Sequence, residues 1–156
     1  MAAEARALEF AGTERAELLG EMRSLASDRS GWVNLSPRID PEKMPPRGGA
    51  PGIFSARGPL IPLATWVPGP LGRKPAPSSI GLQHPLGTKA VPTLRELALV
   101  APDGYRVVAD HPRRGLVLES EEPGDVEAVL DFMIRATGGT CPLEFDGWWV
   151  AGIVRR

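Results

Sequence analysis

The sequence predicts an α+β fold: an antiparallel or mixed sheet built from hairpins, with helices packed on one face and an N-terminal helix appended. Three observations carry this. Short β-branched and aliphatic runs flank turn residues, as in Arg106-Val107-Val108-Ala109 and Leu116-Val117-Leu118-Glu119 around His111-Pro112-Arg113-Arg114-Gly115. Segments with apolar residues at helical spacing separate the strand runs. Glycine (18) and proline (17) exceed a fifth of the 156 residues, which predicts long irregular connections.

In chain order, Ala2–Ser27 reads as helix, with Leu8, Ala11, Leu18, Met22 and Leu25 on one face. Gly12 weakens its middle, Arg15 interrupts the face, and Thr13 can cap a better helix over Glu14–Ala26. Residues 1–30 are therefore expected to be an amphipathic helical appendage to a single α+β domain over 31–156. Gly31–Leu35 is a short strand. Ser36–Pro59 alternates prolines with glycines and reads as a long loop carrying Arg38, Lys43, Arg47 and Arg57. Leu60–Val67 is a strand that Pro62, with no N–H to donate, assigns to an edge or a bulge. A second Pro/Gly loop spans 68–77. Ser79–His84 is a third strand, with Ile80, Leu82 and His84 on one face.

Thr88–Leu99 reads as a helix capped by Thr88, its apolar side made by Val91, Leu94, Leu97 and Ala98. The hairpin Tyr105–Ser120 follows as the structural middle of the domain. Pro112 belongs in its turn, Gly115 supplies a positive φ, and Asp110 is expected to bond the turn's own backbone. Pro123–Thr137 is the clearest helix, with Val126, Val129, Leu130, Met133 and Ile134 facing inward and Gly138-Gly139 stopping it. Pro142–Phe145 and Trp148–Val154 are expected to pair as a hairpin around Asp146-Gly147. Thr88–Ser120 and Pro123–Val154 would then share a helix-then-hairpin order, a weak duplication.

Formal net charge is −1 and the pI is near 6.1, which argues against nucleic-acid binding through bulk charge. A single cysteine, Cys141, excludes an internal disulfide and suits a reducing cytoplasm. No apolar run is long enough for a signal peptide or a membrane span. The Ala/Arg/Gly/Pro-heavy composition fits a high-GC bacterial genome.

Candidate chemistry gathers at the basic turn. Asp110, Arg113 and Arg114 are candidate ligand-binding residues, because two guanidiniums can hold a phosphate or carboxylate in a planar, bidentate way. The plainer reading is a solvated hairpin tip. His84 and His111 are the only histidines, and each precedes a proline at a strand end. If those ends are neighbours, they are an acid/base pair; otherwise they are unrelated strand-end residues. One cysteine and two distant histidines give no metal-ligand spacing, and no cofactor is expected. Cys141 fits a small buried residue better than a nucleophile. Trp148 and Trp149 face opposite sides of a strand, so one lies outside a one-sided core or at a partner surface.

The motifs Gly81-Leu82-Gln83-His84, Gly104-Tyr105-Arg106-Val107-Val108, Asp110-His111-Pro112-Arg113-Arg114-Gly115-Leu116-Val117 and Cys141-Pro142 give the chain a resemblance to uncharacterised actinobacterial proteins. The likeness runs from about Trp32 to the C-terminus. It implies a bacterial cytoplasmic setting and carries no assigned activity or site residue.

The leading expectation is a cytoplasmic binding or protein-interaction domain without catalysis, meeting a protein partner or a second copy of itself. Its expected contact surface is the basic turn with Trp66 and the Pro/Gly loops. The alternative is a small enzyme or binding protein for an anionic ligand, with His84 and His111 as acid and base and Arg113 and Arg114 as the clamp. Membrane association is not expected, and net charge disfavours nucleic acid.

Overall fold

A computed structural model of the chain describes residues 3–44, 59–69 and 76–156. Within them the chain runs β1 (Glu4–Ala11), α1 (Ala16–Asp28), β2 (Gly31–Pro37), β3 (Leu63–Val67), β4 (Ser78–Gln83), α2 (Ala90–Glu96), β5 (Arg106–His111), β6 (Gly115–Ser120), α3 (Val126–Thr140) and β7 (Trp148–Arg155). The seven strands form one open sheet in the order β1-β7-β2-β3-β4-β6-β5, with every neighbouring pair antiparallel. This is an α+β fold.

Period-two alternation makes the sheet two-faced. Register aligns Ile153 with Val33, Val33 with Trp66, Trp66 with Ile80, and Ile80 with Leu118, an apolar row through five strands. All five side chains are buried under the helices. α3 lies over β2, β3 and β4, α1 packs on α3 and β2, and α2 packs on α3, β5 and β6. The alternate residues, among them Trp32, Thr65 and Val117, lie on the other face and are only half-buried. Trp148 and Trp149 do face opposite sides. Trp149 is buried, its indole meeting Phe145 edge-on at 5.1 Å, while Trp148 is half-buried beneath the Arg38 guanidinium.

Several expectations are corrected. Residues 4–11 are a strand, not the start of a helix, so 1–30 is no helical appendage: β1 is a sheet edge and only α1 is helical. EARALEFA repeats at two as well as at three and four. Pairing with β7 along its whole length decides for the strand, and Phe10 is buried as a result. Arg15 sits at the N-cap of α1 in place of Thr13, its guanidinium bonding the Gly12 carbonyl and, at 3.1 Å, Asp131. Pro62 precedes β3 and leaves it free to pair on both sides, so β3 is an interior strand and not an edge.

α2 covers only Ala90–Glu96, and Thr88 does not cap it. α3 runs through Gly138-Gly139 to Thr140. A Cβ at Gly139 would lie 2.4 Å from a Leu97 methyl, so the missing side chain there lets the end of α2 approach α3. Pro142–Phe145 is no strand, because β1 and β2 occupy both edges of β7, and the supposed duplication fails with it. The hairpin β5–β6 lies at the sheet margin, with β5 outermost. Parts of the two Pro/Gly loops, 45–58 and 70–75, lie outside the described residues.

Polar side chains in the core are joined in relays. The Trp66 Nε1–H donates to the Tyr105 hydroxyl at 3.2 Å, and that hydroxyl donates to the Pro123 carbonyl at 2.8 Å. Burial pushes the Tyr105 phenol above its ordinary pKa, so it stays a donor. The relay ties β3 to the segments that open β5 and α3. Tyr105→Phe leaves the buried indole N–H without its acceptor, and a loss of about 1–3 kcal/mol is expected. Urea unfolding measures it; an unchanged midpoint would show that the relay contributes nothing.

Candidate interaction surface

The basic turn owes its shape to backbone and side-chain bonds within it. Gly115 takes φ +94°, and a Cβ there would lie 2.2 Å from the Leu82 carbonyl oxygen, so only glycine admits the close approach of β6 to β4. The His111 Nδ1 accepts from the backbone N–H groups of Arg113 and Arg114 at 3.1 and 3.2 Å. It is thus His111, and not Asp110, that bonds the turn backbone. Both arginine side chains are exposed at the tip.

Asp110 does something else. Its two carboxylate oxygens accept from the Ala90 and Val91 N–H groups at 2.8 and 3.0 Å. A strand residue thereby caps a helix that has no capping side chain of its own. A helix of 7 residues is too short to persist alone, so this bond seats α2 against β5.

His84 follows β4 on the helix-covered face, 1% exposed. Its Nδ1 accepts from the Leu86 N–H at 3.3 Å, which leaves the ring proton on Nε2, an atom with no hydrogen-bond partner among the described residues. Burial lowers its pKa, and the Asp110 carboxylate partly opposes that shift. β6 separates β4 from β5, a gap of two strand spacings, about 10 Å. Across it, His84 lies in the covered layer and His111 in the half-exposed tip. The structure does not bring them together as an acid/base pair.

Trp66, expected at a contact surface, is 0% exposed and belongs to the core. Cys141 is partly buried and its thiol is pushed up by burial, which holds it protonated. Among the described residues no three His, Cys, Asp or Glu side chains gather as a metal site. Nor is any helix among them long and apolar enough to cross a membrane.

What gathers instead is apolar. Five large hydrophobic residues are exposed among the described ones, and four of them (Leu97, Val100, Val107 and Val108) surround the α2–β5 connection. Val100 is 81% exposed, far beyond the others. Beside them a groove of about 220 Å³ is floored by Leu94, Leu99, Leu116, Leu118 and Phe132. It continues into a second, of about 280 Å³, that shares Leu99, Val100, Ala101 and Phe132 and adds Asp103, Asp125 and Asp131. The register of β5 on β6 shifts between Val107 and Ala109, so Val108 is an extra residue. Such a bulge re-aims side chains; Val107 lines the groove, and Val108 is exposed next to it in the strand.

This surface escaped sequence reasoning because Val107 and Val108 read as ordinary interior strand. The available signal was the break in alternation: adjacent valines cannot both face one core in a regular strand. Comparison with models of protein families, with curated proteins and with solved structures finds no match.

The buried imidazole has a consequence for stability. In the unfolded chain His84 titrates near the ordinary 6.5, and in the folded protein it titrates lower. Between those values the unfolded state binds more protons, so stability is full above the window and falls as pH drops through it. Unfolding midpoints measured from pH 7.5 down to 5 should fall more steeply for the wild type than for His84→Phe. Parallel curves would show that His84 is not linked to folding.

Proposed function

We propose that the chain is a non-catalytic protein-interaction domain whose contact surface is the β5 edge with the apolar groove beside it. The observation that supports this most is that two of the exposed aliphatic side chains, Val100 and Val107, line that groove, with Val108 and Leu97 close to them in sequence. Exposed apolar side chains gathered at a groove are the kind of feature that docking surfaces use. Burying a fully exposed valine is worth about 1.5–3 kcal/mol; Val100 comes near that case, and Val107 and Val108, already more than half covered, add a fraction of it each. The free hydrogen-bonding edge of β5 adds main-chain donors and acceptors beside the anchor. A lone thiol held protonated by burial suits a reducing, cytoplasmic setting.

An anion clamp at Arg113 and Arg114 has less behind it. The neighbouring imidazole is spent on the turn backbone, and Asp110 is spent on α2. Asp110 is thus held away from a ligand, and His111 keeps only its Nε2–H to offer one.

Site-specific placement of a photoreactive benzoylphenylalanine tests the reading in the full chain inside its native cells. A probe at position 108 should give a covalent protein adduct that Val100→Glu suppresses. A probe at position 5, on the opposite sheet edge, should give none. Equal or no adducts at the two positions would remove β5 as the contact surface.

A further inference from the structure

We propose that the partner at the β5 edge is a second copy of this chain, joined by antiparallel pairing of the two β5 strands about a twofold axis near Val108. This rests on the reading of the β5 edge as an interaction surface and names what it binds. The geometry points to self-pairing because charge along the edge is polarised. At the start of β5 lie Asp103 and, along a hollow of about 400 Å³, Glu119, Glu121 and Glu122, with the exposed Arg106 as the one cation among them. At its far end lie Arg113 and Arg114. Between the two ends are the exposed valines. Among the described residues Asp103, Glu119, Glu121, Arg113 and Arg114 form no ion pair within the chain, so their charge is available to another molecule.

A twofold interface is self-complementary: what one copy offers at position i, the other meets at position j, and the reverse. An antiparallel turn about Val108 brings the end of one copy that carries Asp103 toward the end of the other that carries Arg113, twice over. It brings Arg114 toward the Glu119–Glu121 end and places Val107 and Val108 of both copies at the centre. A parallel pairing would instead juxtapose like charges, which is strongly disfavoured. The opposite sheet edge carries no comparable pattern. On β1, Arg6 is engaged with Glu17 and Glu21 of its own chain.

Sedimentation velocity of the purified full chain, over a concentration series and at low and high salt, tests this. A dimer is expected, weakened by salt. Val108→Lys, which sets two ammonium groups at the axis, should give monomer that melts where the wild type melts at dilutions too low for dimer. Asp103→Arg and Arg113→Asp should each weaken association by about tenfold or more, since each reversal acts twice. The double variant Asp103→Arg/Arg113→Asp should recover most of it. A wild-type chain monomeric to about 1 mM would overturn self-pairing. If position 108 then still crosslinks to a different protein, the interaction surface stands without the second copy; if it crosslinks to nothing, both fall. A dimer indifferent to Val108→Lys and to the charge reversals would place the contact elsewhere.

Discussion

An open antiparallel sheet must end somewhere, and each end leaves a row of unpaired backbone groups. In this protein the two ends are finished differently. β1 opens on alternating charged and small residues, Glu4-Ala5-Arg6-Ala7, and its Arg6 is held by two glutamates of α1. β5 has Val107 and Val108 exposed at a bulge, with polar charge confined to its two ends. The first edge is protected by charge, while the second is shaped without being covered.

The groove beside β5 exists because a carboxylate holds a short helix in place. Asp110 satisfies two N–H groups of α2, and α2 in turn sets Leu94 and Leu99 beside Leu116 and Phe132. Gly139 admits Leu97 at the other side of the same contact. The Tyr105 relay anchors the segment that leads into β5 to both β3 and the entry of α3. The edge is therefore presented by a fixed frame, and association there carries little ordering cost.

Much of the architecture was legible in the sequence because it is written in local period. The β4 face of Ile80, Leu82 and His84, the β5–β6 hairpin with its glycine, and the apolar side of α3 follow from alternation and helical spacing alone. What local period leaves open is settled by distant partners. Glu4–Ala11 fits two periods, and only β7 chooses between them. Asp110 and His111 are adjacent and both suited to a turn; the arrival of α2 decides which one caps a helix and which one closes the loop. Trp66 carries no mark of its burial, because its place between β2 and β4 comes from sheet order. The same holds for the edge valines, which read as interior until the strand order is known.

Amide hydrogen exchange of β5 as a function of protein concentration tests the central claim most directly. Among the described residues, those β5 N–H groups that point away from β6 have no strand partner, and pairing with a second β5 supplies one. Their protection is expected to rise with concentration and to return to the dilute value in Val108→Lys, while exchange in the β3–β4 pair stays constant. Protection of β5 that is low and independent of concentration would contradict edge pairing between copies.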